Sequence, residues 1–278
     1  MPLPRKAGPR ATICLMSLRL FSKKRNSWNR LYPLLACRID LHLSTIAHLE
    51  VSAHFRADLI ISELLGSFGD NELAPECMAH AHRFLSPRGV MIPANSTSYL
   101  LPVCYPRSRR LVAKWSRGLS ARPTPSVVYT TSATHLTTEK IPIFHYDYTD
   151  LKDCLATEKL AKPRFDLFIH NSNAHRSDRF MGNSVKNQSE ESIEHSGTNR
   201  LDGFMGYFEA QLFGDHSLSI FPYSDQQAGQ DSWFPIFFPS PPRAKDTLPK
   251  SITLAIKRVS EGAHAWYEWE LEDYKGGP

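Results

Sequence analysis

Two carboxylates, Glu63 and Glu72, bracket a short glycine-containing stretch, Gly66-Ser67-Phe68-Gly69-Asp70-Asn71. A pair of acids at the two ends of one turn is suited to gripping a guanidinium, which is planar, permanently charged and presents its donors as a fork. Hydrogen bonds to charged groups contribute about 1.5–3 kcal/mol each. Two such acids would hold an arginine firmly and in one orientation. Spacing alone admits another reading: two surface acids near the start of a helix, where the helix dipole favours negative charge.

The elements around these acids follow from the residue pattern. Ala57 to Ile61 is an apolar, β-rich run with Glu63 at its end. Pro75 opens a helix expected to reach about Leu85, because proline is favoured in the first turn and Cys77, Met78, Ala81, Phe84 and Leu85 recur at three- and four-residue spacing. Ser86-Pro87-Arg88-Gly89 is a stop and turn signal, and Gly89 to Pro93 reads as the next short strand. Strand–helix–strand is the repeat of a doubly wound sheet. Ligands of such sheets sit beyond the carboxyl ends of the strands, which is where Glu63 stands.

From Ala94 onward the pattern becomes strands and turns. Candidate strands are Thr97–Val103, Ser126–Thr131, Ile141–Tyr146, Phe165–His170, Phe204–Leu212, His216–Phe221, Ser251–Val259 and Ala263–Leu271. The clearest alternation places Ile252, Leu254 and Ile256 on one face. Proline-rich breaks are expected at Arg122–Pro125 and Pro235–Pro242, and a long exposed loop at about 170–200, where Asn and Ser dominate. Many short strands separated by turns suggest a barrel or sandwich.

The net charge of +5 is unevenly spread. Residues 1–56 carry ten Lys/Arg against two Asp/Glu, a balance of +8, whereas the remainder carries 23 against 26, a balance of −3. The body is therefore not a basic nucleic-acid-binding surface. The basic residues from Arg107 to Lys114 beside Trp115 read as a solvated segment. No apolar run approaches the roughly 20 residues that span a bilayer, so no membrane association is expected. Five cysteines without a CxxC pair, and histidines without an HExxH pattern, give no metal site and point to a reducing compartment.

The segment Ser62-Glu63-Leu64-Leu65-Gly66-Ser67-Phe68-Gly69-Asp70-Asn71-Glu72-Leu73, followed by Pro75-Glu76-Cys77, closely resembles the double-glutamate loop of the type II, symmetric-dimethylating protein arginine methyltransferases. The resemblance continues through Gly89 to Pro93, Gly203 to Glu209, Leu218 to Ile220, Ser232 to Ile236 and Trp266 to Trp269, over roughly three quarters of the chain. It implies a fold of class α/β plus β. A C-terminal fragment of a Rossmann-like methyltransferase domain (57–93) would precede a β-barrel substrate and dimerisation domain (94–278), with a basic leader at 1–56.

The resemblance also implies that Glu63 and Glu72 grip the substrate arginine and that Ser232, Trp233 and Phe234 form the barrel loop closing over it. S-adenosylmethionine is the implied cofactor. The implied substrates are Arg/Gly-rich proteins such as histones or Sm proteins, in the cytoplasm or nucleus, and a homo-oligomer is the implied assembly. The family's TIM-barrel domain, which docks a WD-repeat partner, has no counterpart in these 278 residues, so that partner is not expected here. Residues 1–56 hold a single glycine, Gly8, and no GxG pattern, so no cofactor-binding residues are assigned. A second reading therefore stands beside the enzyme: a catalytically dead remnant serving as an interaction or dimerisation module.

Overall fold

The computed structural model describes residues 12–16, 46–49, 56–105, 124–128, 133–167, 200–223, 233–240 and 248–272. The basic stretch at 107–115, the long loop expected at 170–200 and most of the leader fall outside the described residues.

The first layer is a parallel sheet. Strands β1 (Thr12–Met16), β2 (Ala57–Glu63) and β3 (Leu85–Ile92) pair in that order. Thr12–Met16 lies within the stretch read as a leader, yet it runs parallel to β2 with Met16 level with Glu63. Helix α1 (Ala74–Ala81) crosses from β2 to β3 and buries Ala74, Pro75, Met78, Ala79 and Ala81. It is shorter than the expected run to Leu85, because a tight 3-10 turn over His82–Phe84 feeds the chain directly into β3. The Ser86-to-Gly89 turn signal is absorbed into that strand. The β2–β3 register shifts there, from Ala57 opposite Leu85 to Leu59 opposite Val90, so the extra residues bulge instead of reversing the chain.

The second layer is antiparallel. Strand β4 (Asn95–Cys104) lies between β10 (Gly203–Phe213) on one side and β6 (Thr134–His135) and β7 (Pro142–Asp147) on the other. Beyond β10 come β12 (Ile236–Pro239) and then β5 (Ser126–Val127), and β11 (His216–Ser219) folds back on the far end of β10. A smaller sheet holds β14 (His264–Leu271), β13 (Ser251–Glu261), β8 (Glu158–Ala161) and β9 (Arg164–Asp166). One-turn helix α2 (Leu151–Cys154), capped by the Asp150 side chain, links β7 to β8. A Rossmann-like layer followed by a β-barrel portion is the architecture expected from the sequence.

One expectation is corrected. The proline-rich stretch beginning at Pro235 is not a break, since Ile236–Pro239 is a fully buried strand paired on both edges. Its prolines flank or end the paired run, where a missing N–H costs no ladder bond, and Ile236, Phe237 and Phe238 supply core volume.

The core joins both layers. Phe68, from the loop after β2, is fully buried among barrel rings, with Phe238 at 5.2 Å, Tyr267 at 5.5 Å and Phe144 at 6.4 Å between centroids. Space for this ring exists because β10 carries Gly206 beneath it. A Cβ there would lie 2.8 Å from two Phe68 ring carbons and 2.7 Å from Ile236 Cγ2. Gly206→Ala is therefore expected to lower unfolding free energy by about 1–3 kcal/mol through overpacking. Gly214, with φ +56 and nothing within 4 Å, should accept Asn with little change. Chemical denaturation of the two variants checks the contrast.

A double-glutamate loop braced by the barrel

Glu63 is the last residue of β2, half-buried, with its Oε2 atom shielded from solvent. Glu72 is exposed at the other end of the connection, just before α1. The two predicted acids thus mark the ends of one loop, residues 64–73.

That loop has little regular structure of its own and is shaped by side chains. Asn71 Oδ1 accepts hydrogen bonds from the backbone N–H groups of Ser67 and Phe68, both at 2.8 Å. The ring so formed leaves no room for a side chain at Gly66, whose φ is +59 and whose Cβ would meet Asn71 Oδ1 at 2.5 Å. Strand β4 holds the loop from below. Ser98 Oγ donates to the Phe68 carbonyl at 2.6 Å, Ser96 Oγ to that of Gly69 at 3.1 Å, and the Tyr148 hydroxyl to Ser96 Oγ at 2.8 Å.

Strand β13 holds it from the side. Ile252, Leu254 and Ile256 alternate inward and are buried, and the next inward residue is Arg258, 1% exposed. Its guanidinium forks the Glu76 carboxylate, Nη1 to Oε1 at 2.8 Å and Nη2 to Oε2 at 3.1 Å. Nη2 also donates to the Asp70 carbonyl at 2.9 Å. Nε lies 3.1 Å from Asp70 Oδ2, an ion pair without hydrogen-bond alignment. Asp70, 0% exposed, takes a further hydrogen bond from the Tyr267 hydroxyl on Oδ1.

Burial pushes the Asp70 carboxyl from 3.8 up to about 6, although Arg258 and Tyr267 pull it back down. Burial opposes the charge on Arg258, but the nearby Asp70 and Glu76 outweigh it and raise its pKa above the ordinary guanidinium value. Tyr267 is pushed well up by burial and by Asp70, so it stays a donor.

Of the residues expected to close over the site, Ser232 lies outside the described residues. Trp233 and Phe234 are half-buried just ahead of β12. The Trp233 ring meets Phe208 edge-on at 6.2 Å. Phe208 also touches the loop, since its Cβ lies 3.1 Å from where a Gly69 Cβ would be. Trp233 and the loop therefore rest on the same side chain.

Sequence reasoning missed Arg258, Asp70 and Glu76. A signal was present: extending the Ile252-Leu254-Ile256 alternation by one step places an arginine in the core, and a buried guanidinium requires carboxylates.

A parallel sheet passing into a barrel is also the architecture of solved protein arginine methyltransferases. Two solved structures share the fold, a likeness that does not bear on the loop. Arabidopsis thaliana protein arginine methyltransferase 10 aligns with a TM-score of 0.56 at 15% identity, covering 96% of this chain and 86% of that one. The Trypanosoma brucei PRMT1 enzyme–prozyme heterotetrameric complex with AdoHcy aligns with a TM-score of 0.56 at 11% identity, covering 90% and 78%. At these identities the likeness concerns the fold.

Sequence comparison is more specific. Residues 15–92 match the family model described as PRMT5 arginine-N-methyltransferase, and residues 95–276 match the PRMT5 oligomerisation domain. The chain belongs to the PRMT5 family of type II protein arginine methyltransferases. It is 31% identical to protein arginine N-methyltransferase 5 of Drosophila melanogaster over 277 residues, 97% of this chain and 40% of that protein. It is 33% identical to the Xenopus laevis protein over 80% of this chain and 31% of the relative. With the Schizosaccharomyces pombe methyltransferase skb1 it shares 30% identity over 79% of this chain and 32% of the relative. The chain thus spans two fifths or less of the length of these relatives.

Asp70 supplies a test of the network's electrostatics. Its folded pKa exceeds the unfolded one, so the native state binds the proton more tightly. The stability this group contributes is full below the unfolded value and lost as pH rises to about 6. Relative to Asp70→Asn, the wild type should lose about 2–3 kcal/mol of unfolding free energy between pH 4 and pH 7. Denaturant titration of both proteins across that range measures it. A pH-independent difference would show that burial does not govern this carboxyl.

Proposed function

We propose that this chain supplies the arginine-binding loop and the barrel of an S-adenosylmethionine-dependent protein arginine methyltransferase acting on Arg/Gly-rich protein segments. The observation supporting this most strongly is the construction of loop 64–73. Its two ends carry Glu63 and Glu72, and its middle is held by hydrogen bonds and rings from β4, β13 and β14. An acid pair on a braced loop serves recognition of a planar cation in one orientation.

Under this reading Glu63 and Glu72 accept hydrogen bonds from the substrate guanidinium and draw its positive charge toward the nitrogens they contact. Holding one nitrogen still is a positioning gain. Facing fixed carboxylates adds electrostatic preorganisation. Trp233, flanked by Ser232 and Phe234, covers the guanidinium face, a stacking contact worth about 0.5–2 kcal/mol. A homo-oligomer through the barrel half is part of the same reading, as the description of the matching family domain suggests. Substrates of this kind would place the protein in the cytoplasm or nucleus.

S-adenosylmethionine supplies an electrophilic sulfonium methyl when bound. The stretch that follows β1, residues 17–39, contains no glycine, aspartate or glutamate. Among the described residues at the end of the parallel sheet no donor-binding residue is assigned, and no step is assigned to the donor. This same observation favours the second reading, a module that binds arginine-rich partners or further copies of itself without catalysis.

Calorimetry separates the two. A peptide of Arg-Gly-Gly repeats should bind the full chain, and Glu63→Gln or Glu72→Gln should weaken it about ten- to hundredfold with the melting temperature preserved. Binding indifferent to both substitutions overturns the arginine grip. Heat on adding S-adenosylmethionine, followed by transfer of its labelled methyl group to the peptide, assigns catalysis to the chain, whereas peptide binding without donor binding assigns the second reading.

A further inference from the structure

We propose that Arg258 is a positioning residue for the double-glutamate loop: from the inward register of β13 it sets the path of residues 64–73, and so the placement of Glu63 and Glu72. The assignment of Glu63 and Glu72 as the arginine grip rests on the function proposed above. The role of Arg258 toward the loop stands on its own geometry.

The side chain occupies a position the strand pattern reserves for an apolar residue. It follows Ile252, Leu254 and Ile256 on the buried face and is itself 1% exposed. A buried ion pair adds little net stability compared with well-packed apolar side chains of similar volume. What a guanidinium provides there is direction, because its five donors lie in one rigid plane.

All of the hydrogen bonds found for this guanidinium run toward the loop and the helix after it. Nη2 reaches the Asp70 carbonyl at 2.9 Å, across 188 residues of sequence. That bond grips backbone and so constrains the chain path directly. Nη1 and Nη2 together fork Glu76 in the first turn of α1. Glu72 enters α1 through Leu73, which is held in the left-handed region at φ 65, and the Leu73 carbonyl receives the Cys77 N–H at 2.9 Å. Fixing Glu76 therefore fixes the turn that carries Glu72. At the other end, the contacts of Asp70 and Phe68 with Tyr267 hold the segment leading back to Glu63.

Lysine at position 258 would keep the charge and lose the fork. A single ammonium on a flexible stem does not hold Glu76 bidentately and the Asp70 carbonyl together. Arg258→Lys is thus the discriminating variant, read by hydrogen–deuterium exchange on the full chain beside calorimetry with the Arg-Gly-Gly peptide. The expected result is exchange about tenfold faster at amides 67–71, with the β4–β10 ladder unchanged. Peptide affinity should fall about tenfold as well.

Unchanged exchange in the loop overturns the proposal. So does faster exchange spread evenly over β4, β10 and the loop, which marks a core brace only. Should Arg258→Lys fail to fold, Glu76→Gln keeps Arg258 in place and should give the same loop-confined pattern at smaller amplitude; its absence overturns the proposal equally. A wild type that binds no peptide rejects the arginine grip. The loop exchange then decides Arg258 alone, for or against, by the same criterion.

Discussion

A guanidinium removed from water has to be met by carboxylates and by correctly aimed acceptors, or the fold bears the full cost of its desolvation. Arg258 is such a group, and its requirement organises much of the molecule. The side chain starts on an inward position of a barrel strand, and the groups that satisfy it belong to the loop and helix that follow a strand of the parallel sheet. The two layers are consequently joined by directed bonds as well as by apolar contact. Phe68 adds the apolar half of the same joint, buried between Phe238, Tyr267 and Phe144.

This joint explains how a loop with so little regular structure holds one shape. Asn71 within the loop accepts from the N–H groups of Ser67 and Phe68, and the carbonyls of Phe68, Gly69 and Asp70 are met by Ser98 and Ser96 from β4 and by Arg258 from β13. A segment whose middle is held from three directions has few alternative paths. The acids at its ends inherit that definition. Trp233 is near the loop by a different route, since its ring meets Phe208 edge-on and Phe208 lies beside Gly69.

Membership of the PRMT5 family gives this arrangement its context, and the shares of sequence covered define its scope. The region matched to the methyltransferase model ends at residue 92 and the region matched to the oligomerisation model begins at 95, the point at which β3 gives way to β4. The double-glutamate loop belongs to the first region by sequence. Its braces belong to the second.

Much of this was legible in the residues alone. The run ending in Glu63, the turn glycines and the first-turn Pro75 specify strand, loop and helix by local rules; strand-forming runs between turns announced β4, β10, β13 and β14, with alternation clearest in β13. Local rules failed where long-range pairing outweighed them. Pro235 to Pro242 reads as a break, yet Ile236–Pro239 pairs along β10 and, at Ile236 and Phe237, with β5. Ser86 to Gly89 reads as a turn, yet a bulge let β3 run through it. By itself, then, the chain's order of residues determined the long strands and which acids bracket the loop, because propensity and periodicity act between near neighbours. The partners of Arg258, and with them the shape of that loop, were decided only in three dimensions, because a buried charge selects its counter-charges by distance in space, here across 188 positions of sequence.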